Sequence, residues 1–363
     1  MRLNRIGELN LLAEIRKRFS SKDGDVLVGI GDDAAVIAPP GRNILVTTDM
    51  MNEGVHFDTA FISPFQLGVK LVSVNVSDIS AMGGEPRYLF LDLSMKEDVE
   101  EADFQALCDG IYAAVKFYGI SLLGGDLSSS VNDMVVSATV MGLADRPVTR
   151  GGARPGDMIY VTSTLGDSAC GLQMLKRLSP ESREGVKGIV FQDAPKDGLL
   201  ELVGDRAIRI EWDIGLPLLL RHLMPVARDP SGIGAVATAM IDLSDGLFMD
   251  LGRLCDESRT GARVYEQRIP VSDAMRFVSE GLGLDPMRLA VSGGEDYELL
   301  FTAPPGAVIS NTISGRLFPG LDRATQIGIT CIGEITGQER MFVYKDGSEK
   351  EMKREGYRHF GAA

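Results

Sequence analysis

From Glu8 to Phe19 the apolar residues Leu9, Leu12, Ala13, Ile15 and Phe19 recur at mostly helical spacing, which predicts an amphipathic helix. Three short apolar, β-branched runs follow, Val26 to Ile30, Ala34 to Ile37 and Ile44 to Thr48. They are separated by Gly31-Asp32-Asp33 and by a PPGRN turn and read as strands. The pattern then predicts a long helix over Pro64 to Met82, a strand over Tyr88 to Leu93, a helix over Asp98 to Tyr118 and a strand over Met134 to Gly142. Two prolines and three glycines interrupt the periodicity in DRPVTRGGARPGD, Asp145 to Asp157, so a domain boundary is expected there, dividing 1–146 from 147–363. The second half restarts with a strand at Met158 to Thr162. Helices follow at about Asp167 to Leu178, around Gly215 to Met224 and after Asp245, with strands near Leu299 and Gly328. The polar stretch Ser179 to Asp213 reads either as an insertion with its own small helix or as a loop. The fold class is α/β (α+β), in two domains.

The 363 residues suit about two domains at roughly 100 to 200 residues each. The balance of 51 acidic against 37 basic residues, a formal charge of −14, repels a polyphosphate backbone, so nucleic acid is a poor partner. Small phosphorylated ligands stay open to an acidic chain when divalent cations stand between carboxylate and phosphate. Cys108, Cys170, Cys255 and Cys331 form no C-x-x-C pair, which disfavours a zinc site or disulfide framework and suits a reducing cytoplasm. Apolar runs such as Gly215 to Leu220 fall short of the ~20 residues of a membrane span, and the N-terminus shows no secretory pattern. A soluble cytoplasmic protein is expected.

Carboxylates recur where apolar segments meet turn residues: Gly31-Asp32-Asp33, Thr47-Thr48-Asp49, Asn75 to Asp78, Gly124-Gly125-Asp126, Asp242 to Gly246 and Gly293-Gly294-Glu295-Asp296. Any one of them is ordinary turn chemistry, because Asp bonds local backbone and Gly accepts positive φ. Six together favour a shared site for Mg²⁺, which takes carboxylate, hydroxyl and water oxygens. With three histidines in the chain, nitrogen ligation is a minor option. Gly29-Ile30-Gly31-Asp32-Asp33-Ala34 approaches a dinucleotide fingerprint, but AAVIAPPG follows it, too short for the helix that would receive a pyrophosphate. No G-x-x-x-x-G-K-[ST] cradle and no H-R-D or D-F-G signature is present.

Taken in order, GIGDDAAVI, TTDMMNEGVHF, VNVSDISAMGGEPRYL, GGD, TRGGARPGDMIYVTSTLGDSACGL, IDLSDGL and SGGEDYELLF resemble the signature blocks of the thiamine-monophosphate kinase family. That family belongs to the ATP-dependent superfamily typified by aminoimidazole-ribonucleotide synthetase. The resemblance runs from about Ile6 to Phe360, apart from the Ser179 to Asp213 region. It implies an aminoimidazole-ribonucleotide synthetase-like fold, transfer of the ATP γ-phosphoryl group to thiamine monophosphate, and several Mg²⁺ ions. It also implies a homodimer paired through N-terminal sheets. Carried over by position, Asp33, Thr47, Thr48, Asp49, Asp78, Asp126, Asp242 and Asp245 would build the metal cluster. Tyr112, Gly125, Asp126, Arg150 and Ser244 would meet the nucleotide, and His56, Glu295 and Tyr357 the thiamine phosphate. Leu127, Asn52 and Ser163 depart from the family pattern without removing a ligand. Selenophosphate synthetase, the hydrogenase-maturation dehydratase and aminoimidazole-ribonucleotide synthetase share the Asp-rich ATP site and are the alternatives within the superfamily; the first is usually marked by a reactive Cys or selenocysteine in an N-terminal segment and the second by a C-terminal Cys, and neither marker appears here. From a different class, a non-catalytic cation or nucleotide regulator would keep the same residues.

Overall fold

The computed structural model describes residues 14–15, 17–19, 24, 26–28, 36–37, 41–190, 198–203, 207–315, 325–353 and 355–357. Strands β1 (Val26–Val28) and β2 (Val36–Ile37) pair antiparallel. Next come β3 (Asn43–Asn52), α1 (Pro64–Ala81), β4 (Glu85–Lys96), α2 (Glu101–Tyr118), β5 (Ser121–Ser130) and β6 (Val135–Ala144). Their four strands form one sheet in the order β3-β6-β4-β5, antiparallel except for the β4–β5 pair.

Helix α1 is the centre of the molecule. Its start is fixed by a capping box between Ser63 and Gln66 with Pro64 in the first turn, and almost every residue along it is buried. It touches β3, β4 and β6 on one side and β10 (Ala239–Asp242) and α5 (Trp212–Leu223) on another. Gln66, Lys70, Ser73 and Ser77 recur along it at i, i+4, i+7 and i+11, a polar stripe inside an apolar helix. Three of these reach residues of the second half. The Gln66 amide donates to the Val186 carbonyl at 2.7 Å, Lys70 pairs with Glu295, and Ser77 donates to Asp242 at 2.7 Å.

The second half contains β7 (Met158–Thr162), α3 (Asp167–Leu175), α4 (Pro180–Lys187), β8 (Leu199–Leu202) and β9 (Ile208–Glu211). After α5 and β10 come α6 (Leu247–Ser258), β11 (Gly261–Tyr265), α7 (Asp273–Gly281), α8 (Pro286–Ser292), β12 (Leu299–Ala303) and β13 (Thr312–Gly315). The chain then forms β14 (Thr325–Thr336), β15 (Arg340–Val343) and β16 (Glu349–Glu351). An eight-stranded sheet runs β10-β12-β7-β14-β11-β15-β16, with β13 on β14. Among the described residues no helix is long and apolar enough to cross a membrane.

The segment after Ser179 carries the small helix α4, as one of the two sequence alternatives has it, and adds the β8–β9 hairpin. Other readings need correction. Gly124-Gly125-Asp126, expected at an element end, lies in the middle of β5, a strand whose Gly- and Ser-rich sequence looks like a turn and which forms by pairing in parallel with β4. Thr47-Thr48-Asp49 is likewise internal to a ten-residue strand, and Asn75 to Asp78 to a helix.

Candidate active site

Strand alternation sorts the acidic motif of β3 onto two faces. Leu45, Thr47, Asp49 and Met51 point to the helix side, while Ile44, Val46, Thr48 and Met50 point outward. The Thr47 hydroxyl donates to Asp78 Oδ2 at 2.6 Å, and the Asp49 amide donates to Asn75 Oδ1 at 3.0 Å. Asn75 and Asp78 sit three residues apart on one helix face, so α1 both grips β3 and presents a second carboxylate beside Asp49. Ser77, turned to the other half, holds Asp242 at the end of β10.

Crowding of like charges in a partly dry place shows in the proton affinities. Burial, followed by the charge of Asp78, pushes Asp49 up to about 6. Burial and then Asp78 push Asp242 up to about 8, against the opposing effects of the Ser77 hydroxyl and Arg150. Asp78 is itself raised by burial, offset in part by Thr47 and Arg150. Arg150 stands in a 3-10 turn, Arg150–Gly152, that lies along β10, where the Met240 amide donates to the Thr149 carbonyl at 3.2 Å. A Cβ on Gly152 would come within 1.9 Å of the Thr238 carbonyl oxygen, so the second glycine of TRGG lets this turn lie against the strand and brings Arg150 to the carboxylates.

Among the described residues no three His, Cys, Asp or Glu side chains converge on one point. The donor set suits Mg²⁺, which binds through one or two carboxylates and completes its octahedron with water and ligand phosphates. Asp49, Asp78 and Asp242, crowded together with Arg150 within reach of the last two, fit that description.

The IDLSDGL and SGGEDYELL blocks run side by side as a continuation of the β10–β12 pairing. The Leu243 amide donates to the Glu298 carbonyl at 2.9 Å, Tyr297 donates to Leu243 at 2.9 Å, and Glu295 donates to Ser244 at 2.8 Å. Asp245 is ion-paired with Arg253, and Asp250 accepts from the Asp245 and Gly246 amides, closing the turn before α6. Tyr357 reaches the same turn, its amide donating to the Asp245 carbonyl at 3.2 Å. In SGGEDYELL, Glu295 meets Lys70 and His222, whereas Asp296 accepts from the Gly166 and Ser168 amides at the start of α3. Glu298 is fully buried against Arg221, Arg228 and Thr162. Burial works against a charged Glu295, but the Lys70 ammonium beside it, with a smaller contribution from His56, holds the carboxyl below its ordinary range; burial and then Lys70 push His222 down to about 3, so it meets Glu295 as a neutral imidazole. His56 therefore lies within electrostatic reach of Glu295, and its Nδ1 accepts from the Asn52 amide at 3.0 Å.

The residues singled out from the sequence thus divide. Thr47, Asp49, Asp78, Arg150, Asp242, Ser244 and Asp245, with His56, Glu295 and Tyr357, surround the seam between α1 and the two paired blocks. Thr48 faces away, its hydroxyl bonded to Thr139 and to the Ala138 carbonyl. Asp126 shares that outward face, aligned with Asp92, Ser137 and Met50 across three strand spacings, roughly 14 Å. Tyr112 sits on α2 in edge contact with Phe19, with Arg18 and Lys116 over its ring. Asp33 lies outside the described residues. Sequence reading missed Lys70, Ser77, His222 and Asp250. The helical period of Gln66, Lys70, Ser73 and Ser77 was the available signal for the first two. A cavity of about 670 Å³ opens near Val76 and Ser80, on the opposite side of α1 from Asp78. Arg42 and Arg228 in its wall are paired, with Glu85 and Asp145 and with Glu298, and Arg146 and Asp229 line it as well.

Residues 31–144 match the family described as AIR synthase related protein, N-terminal domain. The thiamine-monophosphate kinase of Salmonella typhimurium is 37% identical over 98% of both chains, and that of Aquifex aeolicus 34% identical over 99% of this chain and 100% of the relative. A solved structure, AaThiL complexed with AMPPCP and TMP, superposes with a TM-score of 0.69 at 33% identity, covering 99% of each chain. At such identity over the whole length, this chain belongs to the thiamine-monophosphate kinase family.

Proposed function

We propose that this protein transfers the γ-phosphoryl group of ATP to thiamine monophosphate, giving thiamine diphosphate and ADP, and that it works in the cytoplasm as a homodimer of two-domain chains divided near residue 146. The observation that carries the reading is the run of carboxylates Asp49, Asp78 and Asp242 along the seam where α1 meets β3 and β10, the first and last within electrostatic reach of Asp78 and the last two within reach of Arg150. Donor and acceptor are both anions, and each pair of unit charges about 4 Å apart repels by about 4 kcal/mol at an effective dielectric near 20. Bound Mg²⁺, held by Asp49, Asp78 and Asp242 with Thr47 oriented by Asp78, would supply the neutralising charge. Arg150 adds a fixed cationic fork on the nucleotide side, and Ser244 meets the same nucleotide. The acceptor oxygen is already ionised near neutral pH, so positioning replaces a general base. Glu295, with His56 and Tyr357 around the same seam, orients the thiamine monophosphate. Thr48 and Asp126, which share the outward sheet face, serve the site from the dimer contact.

The test is direct turnover of ATP with thiamine monophosphate at millimolar Mg²⁺. Stoichiometric ADP and thiamine diphosphate are expected, and Asp49→Asn should lose activity by about a thousandfold or more while remaining folded, because a neutral amide does not replace a metal-binding charge. Binding of both ligands without turnover would make the protein a regulator instead.

A further inference from the structure

Lys70 projects from the middle of α1, 1% exposed, and its Nζ stands 3.1 Å from Glu295 Oε1 and 3.2 Å from Oε2. His222 of α5 brings Nδ1 to 3.0 Å from Glu295 Oε2, and Ser168 Oγ lies 3.2 Å from the same ring nitrogen. One carboxylate is therefore gripped by a helix of the first half and a helix of the second. The backbone beneath it is equally constrained. Glu295 and Tyr297 adopt φ of +65° and +51°, a region that side-chain-bearing residues avoid and that persists where surrounding bonds dictate it. Those bonds are present, since the amides of Glu295 and Tyr297 donate to the carbonyls of Ser244 and Leu243. The left-handed residues turn Glu295 towards α1 while Asp296 points the other way, into the start of α3.

A buried lysine is expensive to keep, and an ion pair in such a place is commonly no more stabilising than apolar residues of the same volume. Stability alone is thus a weak reason for Lys70. The Glu295 side chain keeps 28% of its surface exposed, so the pair is closed on the Lys70 side and open on the other. We propose that Lys70 is a positioning residue for acceptor recognition: its ammonium, with His222, fixes the Glu295 carboxylate across the seam between the halves in the orientation that meets the thiamine monophosphate. This rests on the reading of Glu295 as an acceptor contact.

Steady-state kinetics of Lys70→Met, Glu295→Gln and the double variant test it. Methionine keeps the length of the buried stem, and Glu295 retains His222 and solvent, so the single variant is expected to fold. Lys70→Met should raise KM for thiamine monophosphate by about tenfold or more while KM for ATP stays within about twofold, because the lost group acts on one substrate's contact. The double variant should be no worse than Glu295→Gln, since Lys70 acts through that carboxylate. An unchanged acceptor KM in Lys70→Met beside a raised one in Glu295→Gln overturns the role of Lys70 alone. An unchanged acceptor KM in Glu295→Gln overturns the underlying acceptor assignment. If Lys70→Met does not fold, the double variant, free of an unpaired charge, decides: an acceptor KM above that of Glu295→Gln shows that Lys70 acts independently and refutes the proposal, and equality supports it.

Discussion

Asp242 shows at the scale of one residue how a site is bought at the expense of the fold. Its carboxyl is buried at a strand end beside Asp78 and near Asp250, and the Ser77 hydroxyl and Arg150 favour its charge without outweighing that burial. Because its folded-state pKa of about 8 lies above the ordinary 3.8, the native protein holds a proton that the unfolded chain has released between these values. That proton's stabilisation is present at low pH and fades as pH rises towards 8. Asp242→Asn should therefore melt higher than the wild type in EDTA at pH 8, with the difference shrinking towards pH 5, and Mg²⁺ should raise the wild-type Tm while moving the variant less. A variant that melts lower at pH 8 would show that Asp242 is satisfied without a cation. The acidic residues themselves were legible, because Asp beside Thr, Ser and Gly at segment after segment is a readable pattern. Their sorting was not. Whether Thr47 or Thr48 turns to Asp78 depends on which face of β3 is covered, and Asp126 is separated from Asp49 by a strand order that no local spacing encodes.

At the scale of elements, α1 was readable along its length because its apolar run is long and its start carries a capping box. β5 was not, since SLLGGDLSSS owes its strand to the partner β4 and not to propensity. The contact between α1 and α2 was equally hidden. The two helices cross so closely that a Cβ on Gly110 would sit 2.0 Å from the Phe65 carbonyl oxygen and one on Gly68 2.4 Å from that of Leu107. Because α1 also holds Asn75, Ser77 and Asp78, displacing it moves the carboxylates. Gly110→Ala should destabilise the protein by about 1–3 kcal/mol or more, seen as a lowered Tm, since backbone and not a flexible side chain must give way. Wild-type stability for this variant would mean that the helices have room to separate, contrary to the close crossing.

For the whole molecule the open question is what covers the outer face of the four-stranded sheet. Ile44, Val46 and Met50 of edge strand β3 are 48%, 61% and 58% exposed, and Met141 and Leu143 of β6 lie half-buried on the same face. Apolar residues in a row on a sheet whose other face is packed by α1 form the kind of surface that a second sheet covers. Thr48 and Asp126, sequence-predicted metal ligands that the single chain leaves away from the seam, are on this face too. The dimer proposed above buries the apolar row and encloses those two residues in one step. Sedimentation at micromolar concentration should therefore show a species of twice 39.1 kDa, with a Tm that rises with protein concentration. Val46→Glu places a charge at the middle of the row and should shift the protein towards monomer, and activity should fall with the dimer fraction if Thr48 and Asp126 serve the site from that contact. A compact monomer with full activity at these concentrations would refute the assembly and leave the exposed row, and the displaced Asp126, without a function.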